Sequence, residues 1–334
     1  MKKKNTFQMH PLANVPSNNI SRQIQQNIQW HTLVLISFIF LFSCAKDDRA
    51  ATFEIIDISY ITARELPKNP TELKILAIGN SFTDDAMTLF PNLLDSSHIY
   101  NVTLGKLTYG GAALDTHLIN YLQNAHAYTF EVTKENHWEK ISDNYTISEG
   151  VSFLDWDIII LQQVSRLSGQ IQSYQPYLNQ LIKMLDDNCS NKNVVFGWHM
   201  TWAYAQNYTN SDFKNYGYNQ WNMYTKIVET VEDMQAQTGI QLVIPSGTAI
   251  QNLRNTSLND SMDLTRDGCH ITLGVGRYTL ACTWFQSLIS PILGVDLLGN
   301  NYRESNGIKV TDDNYAICQQ AAIQACNDKF EVSQ

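Results

Sequence analysis

Residues 157–161 read DIIIL, one acid followed by an apolar run with no polar break. A strand with one face in water alternates apolar and polar residues. A continuous β-branched run instead suits a parallel sheet covered on both faces. Parallel neighbours need long crossovers, usually helices, so this segment alone predicts helices packed on a sheet. The rest of the chain supplies both. Residues 74–78 (KILAI) read as a strand, and 82–94 have helical apolar spacing at Met87, Phe90, Leu93 and Leu94. Residues 102–109 read as a strand and 114–124 as a helix. Further on, 193–197 and 242–244 read as strands, and 174–185, 218–237, 246–253, 272–289 and 312–325 as helices. Strands and helices alternate five times, which predicts an α/β sandwich with a mostly parallel sheet. Residues 127–150 break the rhythm: Tyr128, Phe130 and Val132 alternate with polar residues, the pattern of a small inserted β-hairpin.

The N-terminus reads as a targeting segment. Lys2, Lys3, Lys4 and Arg22 supply positive charge, and no acid appears before Asp47. Residues 33–42 are apolar except for Ser37. A bilayer-spanning helix needs roughly 20 such residues, so this run fits the core of a signal peptide. It ends in Leu41-Phe42-Ser43-Cys44, which resembles a bacterial lipobox and implies lipidation of Cys44. The expected organisation is a lipoprotein signal peptide over 1–44, a polar tether over 45–70 and a catalytic domain over 71–330. The expected location is the periplasm, the outer membrane or the cell surface, with the lipid as membrane partner.

The net charge is -9, and no Lys/Arg-rich run lies in the body of the chain, so the electrostatic footprint of a nucleic-acid binder is missing. Of the six cysteines, five remain after Cys44, and their spacings match no zinc pattern. They read mostly as buried small hydrophobes. His117, His126 and His137 have no metal-ligand spacing, and no Gly-rich nucleotide motif occurs. No metal and no cofactor are expected.

Two short motifs carry chemistry. Gly79-Asn80-Ser81-Phe82 sits where the first strand meets a helix. A serine there has its N–H near any carbonyl it attacks, and the helix N-terminus favours developing negative charge. Serine is also a common helix N-cap. The second motif is Asp267-Gly268-Cys269-His270. A serine needs a base, and the base needs an acceptor to fix its tautomer; an Asp three residues before a His in one loop supplies both.

Together, and in this order, the two blocks resemble those of the SGNH (GDSL-like) hydrolase superfamily, over about residues 73–290. The GNSFT opening looks like a branch of bacterial secreted proteins. The resemblance implies a three-layer α/β/α fold, SGNH/flavodoxin-like, and metal-free ester hydrolysis by Ser81, His270 and Asp267. It also implies an oxyanion hole from the Ser81 and Gly111 N–H groups and a third donor. Here the third block departs from the family: Gln162-Gln163 follows the 157–161 strand where an Asn is usual. Gln163 is expected to donate in its place, with Gln162 as the alternative. Trp198, His199 and Trp202 follow the fourth parallel strand, where loops line the site of open α/β sheets. They are expected to contact substrate, and His199 is a lesser rival to His270 as base. The implied substrate is an O-acetyl group on a carbohydrate. The competing reading is an inactive scaffold that binds glycans at the cell surface.

Overall fold

The computed structural model describes residues 54–333. Cys44 and the targeting segment lie outside the described residues. Seven strands form one sheet: β1 Leu73–Gly79, β2 Val102–Thr108, β3 Tyr128–Lys134, β4 His137–Tyr145, β5 Ile158–Leu161, β6 Val195–His199 and β7 Leu242–Ile244, in the order β4-β3-β2-β1-β5-β6-β7. β2, β1, β5, β6 and β7 are parallel; β3 and β4 are antiparallel. All four residues of β5 are buried, as an unbroken apolar strand at the centre of a covered sheet must be.

The fold is a three-layer α/β sandwich. One layer packs the helices Ser81–Met87, Phe90–Ser96, Ser246–Arg254, Val275–Trp284 and Tyr315–Asn327 together; the other packs Leu114–Leu122, Ile147–Ser152 and Tyr177–Asn188. The core runs through both, with Trp156, Trp198, Trp202 and Trp284 fully buried.

One expectation holds and two need correction. The expected hairpin forms, and its β3 pairs with β2 so that it widens the sheet. Its turn at Glu135-Asn136 has φ of 48° and 59°, the left-handed pair that two-residue hairpins favour. The helix expected over 82–94 is two helices, with Pro91 in the first turn of the second, where its missing N–H costs nothing. From Glu54 onward, the expected tether is packed against the domain. Ile58 and Ile61 are buried, Arg64 makes a bidentate pair with Asp186, and Asn179 donates to the Ile56 carbonyl. The stretch looked polar because its apolar residues are few, but those few are spaced to seat on the body.

Candidate active site

The topology chooses the place. The chain leaves β1 for β2 on one side and returns to β5 on the other. The loops that follow β1 and β5 therefore diverge, and such switch points open a crevice at the carboxyl end of the sheet. Ser81 follows β1 there.

Gly79 and Asn80 explain why the turn is built as it is. A Cβ on Gly79 would lie 2.1 Å from Thr83 Oγ1 and 3.0 Å from Gln162, so only glycine lets the turn close this tightly. Asn80, not the serine, is the N-cap. Its Oδ1 accepts from the Phe82 N–H at 3.0 Å, and its Nδ2 donates to the Ala112 carbonyl at 3.0 Å. Ser81 is thus the first helical residue, and its N–H belongs to the first turn, which has no carbonyl to bond within the helix.

The loop 265–271 brings the other two residues to it. Ser81 Oγ lies 2.9 Å from His270 Nε2, and His270 Nδ1 lies 2.6 Å from Asp267 Oδ2. With Nδ1–H donating to the carboxylate, Nε2 turns its lone pair to the Ser81 hydroxyl. Asp267 Oδ1 also accepts from the backbone N–H groups of His270 (2.8 Å) and Cys269 (3.1 Å). Partial burial pushes the Asp267 carboxyl up, but these hydrogen bonds outweigh it and hold the group down to about 2. Gly268, at φ 93°, lies so close to the Tyr208 ring that a Cβ would meet it at 2.1 Å.

Sequence reasoning missed the clamp that joins the loop to the serine helix. Asp85, one turn beyond Ser81, is fully buried. It receives Arg266 Nη1 at 3.0 Å, Arg277 Nη2 at 2.6 Å and the Ile271 N–H at 3.2 Å. No local motif announced it, since the partners are separated by 181 to 192 positions. Phe82 stacks on Trp202 with ring centroids 4.2 Å apart, and Trp202 Nε1 donates to the Cys269 carbonyl at 2.8 Å.

The expected third oxyanion donor is placed otherwise. Gln163 Nε2 donates to the Ser173 carbonyl and hydroxyl, both at 3.1 Å, and its Oε1 accepts from the N–H groups of Val164 and Leu114. Both amide hydrogens are committed to holding loops. Gln162 Nε2 donates to Asn80 Oδ1 at 2.8 Å, while its Oε1 accepts from Thr83 and faces His199 Nδ1. Gly111 is exposed at φ 69° beside the crevice. Its carbonyl accepts from Arg166 Nη1 at 3.3 Å.

The three expected substrate contacts are also corrected. Trp198, His199 and Trp202 are all at most 1% exposed. Trp198 and His199 are covered because β6 runs between β5 and β7 with both of its faces buried, and Trp202, beyond the strand, folds back under the 265–271 loop. Burial pushes His199 down to about 3, which leaves it neutral, and its Nδ1 faces Gln162 Oε1 and not Ser81. Exposed aromatics do lie on the loops themselves: Tyr109, at the end of β2, is 40% exposed. A cavity of about 1000 Å³ lies at the other end of the sheet, lined by Val195, Leu242, Arg64 and Cys326 among others, and shares no residue with the Ser81 site.

Comparison with known proteins places the chain in a family. Curated proteins give no match. The crystal structure of a DUF4886 family protein from Bacteroides uniformis is 36% identical, with a TM-score of 0.71, covering 78% of this chain and 97% of its own. An α/β hydrolase enzyme from the metagenome of Lake Arreo is 11% identical, with a TM-score of 0.43 over 65% of this chain and 94% of its own. A gut microbial diltiazem-metabolizing enzyme is 13% identical, with a TM-score of 0.41 over 68% of this chain and 48% of its own. The family described as "Domain of unknown function (DUF4886)" matches residues 74–325, so the chain belongs to the DUF4886 family.

Proposed function

We propose that this protein is a serine ester hydrolase of the SGNH type, acting on an acetyl ester carried by a carbohydrate. The observation that carries the reading is the continuous chain Asp267–His270–Ser81, at 2.6 and 2.9 Å, at the switch point of the sheet. In the proposed reaction His270 Nε2 takes the hydroxyl proton as Ser81 Oγ attacks the ester carbonyl. Asp267 stays ionised and holds the ring in the tautomer that leaves Nε2 free. The N–H groups of Ser81 and Gly111 bind the oxyanion. His270 then gives its proton to the leaving alcohol, and water releases the acetyl group by the reverse path.

The acetyl part of the proposal follows the family resemblance, and the carbohydrate part rests on the exposed Tyr109 ring beside Gly110-Gly111. Export through lipidation of Cys44 belongs to the same proposal, on the sequence of the first 44 residues. The test is p-nitrophenyl acetate turnover by the purified protein, Ser81→Ala and His270→Ala, with circular dichroism to verify folding. Turnover that falls to background in both folded variants supports the reading. A folded parent that hydrolyses neither this ester nor acetylated glycans sinks it.

A further inference from the structure

The loop that would supply the base and its acid also carries a third ligand type. Cys269 Sγ lies 3.4 Å from Asp267 Oδ1 and 3.4 Å from His270 Nδ1. The three donor atoms, one sulfur, one nitrogen and one oxygen, all lie within 4.8 Å of one another. Zinc bonds thiolate sulfur at about 2.3 Å and imidazole nitrogen or carboxylate oxygen at about 2.0–2.2 Å, so two ligands of a tetrahedral site stand roughly 3.3–3.6 Å apart. The Cys269 sulfur already stands at that distance from His270 Nδ1 and from Asp267 Oδ1. The other carboxylate oxygen, Oδ2, is the one that holds Nδ1 at 2.6 Å; a small carboxylate rotation releases that bond and turns one oxygen to the metal, and Asp267 is exposed enough to make it. All three ligands sit within four consecutive residues, so binding needs no rearrangement of helices or strands.

We propose that Asp267, Cys269 and His270 form an inhibitory site for a thiophilic divalent cation such as zinc, competing with the serine chemistry for the same imidazole. The inhibition follows from proton placement. A metal on Nδ1 removes that nitrogen's proton, and the neutral ring then carries its proton on Nε2. Nε2–H donates to Ser81 Oγ where it formerly accepted from it, so the serine has no base. The metal also takes the Asp267 carboxylate and displaces the Cys269 thiol proton, which leaves to solvent; one proton is released per metal bound. Water fills the fourth position from the exposed side. Zinc-site reading from sequence looks for paired cysteines or histidine-rich spacing, and the string Asp-x-Cys-His has neither.

The catalytic consequence rests on the serine hydrolase reading, but the site itself does not, so binding and turnover are measured separately. The binding arm titrates the purified full-length protein with Co²⁺ alone and reads the near-ultraviolet thiolate-to-cobalt charge-transfer absorption, with zinc displacing it. The parent is expected to show one equivalent of thiolate-bound cobalt, and Cys269→Ser and His270→Ala none. The turnover arm adds Zn²⁺ and expresses each rate relative to the same protein in chelator. Parent turnover is expected to fall and to return with chelator, while Cys269→Ser needs at least about tenfold more zinc for the same loss. Absence of the cobalt band, or a band of equal strength in Cys269→Ser, overturns the site. Zinc that binds at Cys269 while turnover continues unchanged overturns the inhibition. If the parent hydrolyses no ester, the function reading fails and the cobalt arm alone decides the metal site.

Discussion

At the scale of single residues, the site depends on which polar atoms are already spent. Gln163 shows the point. Its position after β5 matches that of a carboxamide donor, yet every hydrogen of its amide goes to Ser173 and its oxygen holds the Val164 and Leu114 N–H groups. Removing an oxyanion donor typically costs about 10²–10³ in rate. Gln163→Ala is therefore expected to lower kcat by less than about tenfold. It should destabilise the fold by about 1–3 kcal/mol, because buried N–H groups lose their acceptor. Steady-state kinetics and urea melts of the same variant separate the two; a loss of 10²-fold or more in kcat at unchanged stability would return Gln163 to the oxyanion hole. Residue identity was readable from the sequence, but commitment was not, since Ser173 and Leu114 reach Gln163 only through the folded loops.

At the scale of elements, local patterns were legible and long-range ties were not. The strands expected at 74–78, 102–109, 157–161, 193–197 and 242–244 overlap β1, β2, β5, β6 and β7, most plainly at β5, where burial on both faces leaves an unbroken apolar run in the sequence. The sequence also placed a serine at the end of β1 and a DxxH string before a late helix. It could not show that Asp85 locks the two together, nor that β6 turns Trp198 inward. Under the proposed function, the clamp has a consequence for catalysis. Asp85 is fully buried, and both arginines that hold it keep part of their side chains in solvent. Asp85→Ala leaves two guanidinium groups and the Ile271 N–H without their shared acceptor, a loss of about 2–4 kcal/mol once exposure of the arginines is discounted. The 265–271 loop also loses its anchor to the serine helix. The expected kinetic signature is a fall in kcat with KM little changed, because His270, the proposed base, moves and the surface around it does not. Equal loss in stability with kcat intact would mean that Trp202 and the Ala205 N–H, which bond the Cys269 and Gly268 carbonyls, hold the loop without the clamp.

At the scale of the whole molecule, two buried histidines outside the Asp267–His270–Ser81 chain weaken the fold in acid. His117 and His199 are both 1% exposed, and burial pushes them down to about 4 and about 3. Each has one ring nitrogen hydrogen-bonded, to the Tyr128 hydroxyl and to Gln162, and a buried Nε2 without a partner among the described residues. In the unfolded chain each titrates near 6.5. As pH falls below that value the unfolded chain takes up two protons that the folded chain refuses, so folding stability falls with pH until the folded values are reached. By pH 4.5 the loss is about 2.5 kcal/mol for each histidine, from the shift at 1.36 kcal/mol per pH unit. Asp267 works in a lower window: with its folded value at about 2, its contribution is present above its ordinary value near 4 and is lost only below it. Urea melts at pH 7 and pH 4.5, compared between the parent and each histidine variant, therefore isolate the contribution of each histidine. The parent is expected to lose about 5 kcal/mol from this pair between the two pH values. His117→Gln and His199→Gln are each expected to recover about half of that difference, whatever either substitution costs at pH 7. A variant whose loss between the two pH values equals the parent's would show that its histidine takes up the proton in the folded state, and that the buried Nε2 reaches water after all.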